Sequence, residues 1–319
     1  MSAAPHHTGH RHQAAIYHSD AEFLEMVLPL VRAGIDAGEP TLVTAGPHRS
    51  GLLRESLGPA AGDVRFLDER VPYLRPSSTL ETYRGILSRL MAAGPERIRV
   101  VGGIPARATR RTWSWWARYE AATNRVHADF PVWLVCCYDA RHVGAGVLAD
   151  VRRTHPYLTT TDGRARANPA FEDDVTFRHR NQVEIDALEA TPAFADLVDP
   201  DPREARAAAR AVAHHSGCGQ SRALALEVAV NETVTNARLH GVPPVRLRLW
   251  WAPGRVVATI TDGGSGPDDP RAGLVRTTST RTGGLGLWLA HETCDYVRFS
   301  QGQDGFTVGL FIGEPEAAA

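Results

Sequence analysis

The stretch that most restricts this chain is Leu226–Gly241, LEVAVNETVTNARLHG. It reads as a helix: Val228, Val230, Val234 and Leu239 supply an apolar face, and no proline interrupts it before Pro243. Glu232 and Asn236 are four apart, so they project from one side of that helix, a turn apart. An amide oxygen placed there suits a hard cation such as Mg²⁺, and a carboxylate suits orienting or deprotonating a hydroxyl. Taken alone, such a pair more often marks a solvated helix face.

Two glycine-rich stretches downstream change that balance. Thr259–Gly266, TITDGGSG, follows a strand-like run, Arg255–Ile260, and sets Asp262, Gly264 and Gly266 as D-x-G-x-G at a strand end. An acidic side chain there can accept a hydrogen bond from an exocyclic amine such as adenine N6. The glycines let the backbone approach a flat base, although a plain hairpin turn uses the same residues. Thr282–Leu289, TGGLGLWL, places Gly283, Gly284 and Gly286 before an apolar helical run that continues to about Thr293. A glycine-rich loop feeding a helix presents free N–H groups to a phosphate; glycine in a first helical turn also serves packing.

In this order and spacing the three stretches resemble the N, G1 and G2 boxes of the GHKL ATPases, the superfamily of gyrase, MutL, heat-shock chaperones and sensor histidine kinases. The resemblance implies an α+β two-layer sandwich (the Bergerat ATP-binding fold) and the cofactors ATP and Mg²⁺. It makes Glu232 the catalytic base and Asn236 the Mg²⁺ ligand. Asp262 becomes the adenine-binding acid, with Gly264 and Gly266 beside it. Gly284, Gly286 and Leu287 become the phosphate loop, and Thr307, in GFTVGL, sits near the adenine. A dimerising helical hairpin with a phospho-acceptor histidine is not evident: His214-His215 is followed by Ser-Gly-Cys-Gly, and His291-Glu292 lies inside the last helical run. The phrases LEVAVNETVTNARLHG, TDGGSGPDDP and GGLGLWLAHETCDYV resemble the anti-sigma-factor serine/threonine kinases of bacterial partner-switching systems. That branch implies a sigma factor as partner in one state and, in the other, a STAS-type anti-sigma antagonist phosphorylated on Ser or Thr. It also implies a homodimer. A non-catalytic, ATP-dependent sigma-sequestering module and an atypical sensor histidine kinase stay open as alternatives.

The first half alternates strands with helices. His12–Tyr17, Thr41–Ala45, Asp63–Leu67, Ile98–Gly102 and Val132–Tyr138 read as strands; Asp20–Asp36, Thr79–Ala93, Thr109–Asn124 and about Gly144–Thr154 read as helices. This pattern predicts a three-layer α/β domain on a parallel sheet. Gly46 and Gly51 have P-loop spacing after a strand, but Leu52-Leu53 stand where the lysine and hydroxyl would be, so nucleotide hydrolysis is not expected there. The opening HQAAIY, the stretch YLRPSSTL and the closing CCYDARHVGAGVLADVRRTHP resemble the MEDS sensory domain, a RecA-like module of bacterial regulators. The resemblance implies sensing of an unknown small ligand or a partner protein. His12, Tyr17, Trp113, Trp116, Tyr138 and His155 are candidates to line a sensory site, with core packing as the competing role for each.

The chain then divides into a disordered tail (1–11), the MEDS-like domain (12–165), a polar linker (166–195, with a short helix at Gln182–Glu189) and the ATP-binding kinase domain (196–315). A net charge of −1 gives no argument for direct binding of nucleic acid or an anionic membrane. There is no lysine, which excludes Schiff-base chemistry and a Walker-type lysine. Cationic phosphate contacts would fall to Arg271, Arg276 or Arg281, for each of which surface charge is the competing role. The four cysteines do not form a metal set by spacing and read as buried reduced thiols. No run approaches about eighteen apolar residues, and the polar N-terminus is unlike a signal peptide, so a cytoplasmic protein is expected.

Overall fold

The computed structural model describes residues 9–68, 75–105, 112–180, 185–276 and 285–313. The chain forms two compact units, the first ending at Phe177 and the second beginning at Arg178, with Arg75–Ser77 grouped with the second.

In the first unit, strands β1 (Arg11–Tyr17), β2 (Thr41–Thr44), β3 (Val64–Phe66), β4 (Ile98–Gly102), β5 (Val132–Asp139), β6 (Tyr157–Thr159) and β7 (Ala165–Ala167) make one mixed sheet in the order β3-β2-β4-β5-β1-β6-β7. Every pairing is parallel except β6 with β7. The helices are α1 (Asp20–Asp36), α2 (Pro47–Leu57), α3 (Pro76–Met91), α4 (Trp113–Val126), α5 (Ala145–Thr154) and α6 (Asp174–Arg180). Ser19 caps α1 by accepting from the Glu22 amide at 3.1 Å.

The pleat decides what each face of this sheet can do. Ala15, Tyr17, Val43, Val101, Val135 and Cys137 share a core with Phe23, Val27 and Val31 of α1 and Leu53 of α2. The other pleat carries His12, Thr44, Cys136 and Tyr138. These reach α3 and α4 instead: Thr44 bonds Tyr83, His12 bonds Asn124, and Cys136 and Tyr138 both meet Glu120. Helices on both faces explain why β5 is apolar along nearly its whole length.

The first part of the expected linker, from residue 166, is built into the first unit. β6 and β7 pair across a turn in which Gly163 takes φ +78°, and Phe177 of α6 is buried against Ala117 and Ala121. An edge hairpin needs few apolar residues, so periodicity gives it no signal.

The second unit contains β8 (Ala195–Val198), α7 (Pro202–Ser216), α8 (Gln220–His240), β9 (Arg246–Ala252), β10 (Arg255–Asp262), α9 (Leu285–Thr293), β11 (Tyr296–Gly302) and β12 (Gly305–Ile312). Its sheet is antiparallel throughout, in the order β11-β12-β10-β9-β8. α7 opens with a reciprocal cap, Asp201 accepting from the Glu204 amide and Glu204 from the Asp201 amide, and closes at Gly217 with φ +67°. Ala209 and Val212 of α7, Leu226, Val230 and Val234 of α8 and Ala290 of α9 pack on Leu247, Leu249, Ala258, Ile260, Val308 and Leu310. The helices therefore cover one face of the sheet.

The apolar stripe of α8 differs from the expected one. Its buried residues are Leu226, Ala229, Val230, Thr233, Val234 and Ala237, while Leu239 is 70% exposed and Val228 only partly buried. Alanine and threonine complete the stripe that the expected reading gave to larger side chains. The opposite face of the sheet is covered by residues 186–191. Glu189 receives both terminal nitrogens of Arg298 at 2.6 and 2.7 Å, Asp186 pairs with Arg255 at 2.8 Å, and the Trp250 indole donates to the Thr191 carbonyl. Part of the expected linker is thus a strap. Of the helix expected at Gln182–Glu189, 182–184 lie outside the described residues, and Ala187–Ala190 is a 3₁₀ turn capped by Asp186. No helix among the described residues is long and apolar enough to cross a membrane.

Candidate functional sites

α8 buries its Leu226–Ala237 stripe, and that fixes its rotation. Glu232 and Asn236 then both face the first turn of α9. A Cβ on Gly286 would stand 2.9 Å from Asn236 Nδ2 and 2.9 Å from Glu232 Oε2, so glycine is what lets the α9 backbone close over the pair. Asn236 Nδ2 is buried without a hydrogen-bond partner among the described residues. The other carboxylate oxygen, Glu232 Oε1, accepts from Asn231 Nδ2 at 3.0 Å, and Asn231 Oδ1 is held by the Arg206 guanidinium of α7. Asn231 and Arg206 escape a sequence reading because the contact joins two helices and follows no motif. Leu287 packs against the core beside Gly286.

Asp262 ends β10 and is 7% exposed. Its Oδ1 accepts from the amides of Val242 (3.1 Å) and Gly264 (2.8 Å), which directs Oδ2 away from both. A Cβ on Gly264 would meet Asp262 Oδ1 at 2.7 Å. Gly266 has φ +77°, and a Cβ there would meet the Phe306 ring at 2.5 Å. Thr307 lies opposite Thr261 across the β10–β12 ladder, their hydroxyl oxygens 2.8 Å apart. Gly284 lies outside the described residues, as do Gly283 and Arg281. Arg271 is paired with Asp269, and Arg276 lies over the Trp288 ring, 5.5 Å from its centroid.

The residues present suit a magnesium nucleotide. The buried Asn236 amide nitrogen, a donor without a partner among the described residues, suits a phosphate oxygen while the amide oxygen would be the atom for the metal; Gly286 keeps the space above them clear, and the start of α9 offers backbone N–H groups to an anion.

In the first unit, three of the six sensory candidates come together around a buried carboxylate. Tyr138 donates its hydroxyl to Glu120 Oε1 at 2.5 Å; Glu120 Oε2 lies 3.2 Å from His12 Nε2 and 3.5 Å from His155 Nε2. Glu120 is fully buried, and the Tyr138 hydroxyl satisfies one of its two oxygens. Burial, reinforced by His12, holds His155 at about 3, so its ring is neutral near pH 7. Trp113 stands edge-on to Tyr138 at 6.2 Å and donates to Asp150. Trp116 packs edge-on to Tyr119 instead. Tyr17 does not join: it faces the opposite pleat, against Phe23, and its hydroxyl accepts from Arg49. Glu120 and Cys136, which complete the cluster, have no spacing signal; only the shared strand parity of Cys136 and Tyr138 points to it.

A mixed, mostly parallel α/β unit followed by an antiparallel α/β unit, with a Glu–Asn helix facing a glycine at the next helix start, is consistent with an α/β domain joined to a GHKL-type ATPase domain. Comparison with protein families agrees. Residues 11–156 match the MEDS family, described as the methanogen/methylotroph, DcmR sensory domain, and residues 197–312 match the histidine kinase-like ATPase domain. The chain thus carries an N-terminal MEDS domain and a C-terminal histidine kinase-like ATPase domain. No curated protein matches it. Among solved structures, the RsbU and RsbW domains of Rv1364c from Mycobacterium tuberculosis match at 17% identity and a TM-score of 0.28, over 66% of this chain and 51% of that one. The chain spans about half the length of that structure, and so low a score bears on neither fold nor function.

Proposed function

We propose that the protein is an anti-sigma regulator of the partner-switching kind. Its C-terminal domain binds Mg²⁺–ATP and phosphorylates a Ser or Thr of a STAS-type anti-sigma antagonist; in its other state it holds a sigma factor. The MEDS domain senses a small ligand or a partner. A RecA-like layering of the first domain, a Bergerat sandwich in the second, a homodimer and a cytoplasmic location belong to the same reading.

The observation that carries it is the convergence of Glu232 and Asn236 on Gly286, in a domain that matches the histidine kinase-like ATPases. Asn236 would hold the Mg²⁺ ion, whose charge offsets that of the phosphates. Gly284, Gly286 and Leu287 would supply the phosphate loop. Asp262 Oδ2 would accept from the adenine amine, with Gly264 and Gly266 clearing space for the base and Thr307 beside it. In the transfer, the substrate hydroxyl oxygen bonds to the γ-phosphorus, the bond from that phosphorus to the β–γ bridging oxygen breaks, and ADP leaves. Glu232 Oε2, the oxygen facing Gly286, takes the hydroxyl proton. Such a reaction needs mainly positioning and charge neutralisation, so a small set of side chains suffices.

The test is incubation with Mg²⁺–ATP and candidate STAS-type antagonists, read by intact mass. An acid-stable phosphate on a partner's Ser or Thr supports the reading. An acid-labile phosphate on this chain favours a histidine kinase, and ATP binding with no mass gain on any partner favours a sequestering module.

A further inference from the structure

Four side chains with metal-binding atoms meet inside the first unit: His12 of β1, Glu120 of α4, Cys136 of β5 and His155, just after α5. All four are buried, and their donor atoms lie within 4.8 Å of one another. His12 Nε2 is 3.3 Å from Cys136 Sγ and 3.2 Å from Glu120 Oε2; Cys136 Sγ is 3.7 Å and His155 Nε2 3.5 Å from the same oxygen. A tetrahedral zinc ion with bonds of about 2.0–2.3 Å spaces its donors about 3.3–3.8 Å apart.

The surroundings fix which atoms face inward. The Asn124 amide nitrogen donates to the Thr154 carbonyl at 2.8 Å, so its oxygen faces His12 Nδ1 at 3.0 Å. His155 Nδ1 lies 2.8 Å from the Val151 carbonyl. Both partners are acceptors, so each Nδ1 carries the ring proton and each neutral ring turns an Nε2 lone pair toward the others. Lone pairs aimed at a carboxylate repel it, and His155 Nε2 makes no hydrogen bond. The two rings are 4.1 Å apart, so protonating both would set two cations in contact. Tyr138 holds the remaining carboxylate oxygen. Each donor but the sulfur therefore has the outer partner that a metal-ligating side chain uses.

We infer that His12, Glu120, Cys136 and His155 form a closed site for a first-row divalent transition ion of the zinc class. One dication against one thiolate, one carboxylate and two neutral imidazoles is neutral overall, which is the balance a fully buried cluster needs. Four protein donors leave no open coordination position, so the ion organises the domain and does not perform chemistry there. The site is independent of the nucleotide-binding reading.

The test uses the full chain, without an affinity tag, stripped with chelator and titrated with Co²⁺ alone. The expected result is one ion per chain, tetrahedral visible bands and a sulfur-to-cobalt charge-transfer band. Cys136→Ser should lose the charge-transfer band, and a His6→Ala/His7→Ala variant should keep it. Asn124→Ala should keep the band but weaken binding about 10- to 100-fold, as expected when an outer partner is lost. Failure to bind one ion, binding without the sulfur band, or loss of binding with the two tail histidines would each overturn the site. If Cys136→Ser does not fold, the band in the unaltered chain still decides.

Discussion

Asn231 donates from Nδ2 to Glu232 Oε1 at 3.0 Å, so the residue beside the proposed base fixes which carboxylate oxygen turns toward Gly286. Arg206 anchors Asn231 in turn. Asn231→Ala leaves Glu232 present but free to rotate. Transfer should slow by roughly 10- to 100-fold, as misplacement of a reacting group commonly costs. The affinity for Mg²⁺–ATP should stay within about twofold. Single-turnover rates beside calorimetric affinities separate the two; an equal loss in both would mean that Asn231 supports the fold of the site and not the base.

Gly286→Ala makes the opposite separation. Alanine is the better helix former by about 1 kcal/mol, but its Cβ would press on Asn236 and Glu232 at 2.9 Å. Thermal stability should change by no more than about 1–2 kcal/mol, the propensity gain opposing the crowding, while nucleotide binding falls at least about tenfold. Unchanged ATP affinity would remove Gly286 from the site.

Asp262→Asn tests the base pocket. The amide oxygen can still accept from Val242 and Gly264, which turns the NH₂ group toward the space that Oδ2 faced. A donor would then meet the adenine amine. An unmatched buried polar contact costs about 1–3 kcal/mol, so ATP affinity should fall about 5- to 150-fold. Discrimination against GTP should fall with it. Selectivity preserved in the variant would contradict the pairing.

The strap gives a stability prediction. Arg298 and Glu189 are 4% and 11% exposed at their side chains and pair through both guanidinium nitrogens. Arg298→Ala leaves the carboxylate beside the sheet without that partner, a change that typically costs about 3–5 kcal/mol for a buried pair. Chemical denaturation should show a loss of that order. A loss under about 1 kcal/mol would mean that residues 186–191 stay in place without it.

The long apolar elements were the legible part of this chain. The five strands expected in the first half and the helix expected at Asp20–Asp36 end within one residue of β1–β5 and α1, because strong periodicity and flanking Gly and Pro mark them. β6–β7 and β8 were not legible: each is a short, mostly polar edge segment whose place comes from hydrogen bonds to a neighbour far along the chain. The α8 stripe shows the same limit on a smaller scale. Alanine and threonine at 229, 233 and 237 are buried where Leu239 is exposed, because packing on α7 and the sheet favours small residues. At the sites, local spacing brings Glu232 and Asn236 to one side of a helix, but the contacts of Asn231 with Arg206 and of Glu120 with His12 depend on tertiary placement. Tyr17 shows the converse: its neighbours in sequence suggest a site, and strand parity turns it to the other face.

In the proposed reaction Glu232 takes the proton of an incoming hydroxyl at a bound nucleotide. The most direct measurement is single-turnover phosphotransfer from Mg²⁺–ATP to a STAS-type antagonist, comparing the unaltered chain with Glu232→Ala at matched nucleotide occupancy. Nucleotide affinity should be retained and transfer should fall at least about 100-fold, within the usual contribution of a positioned base. Equal transfer rates in the two proteins would contradict it.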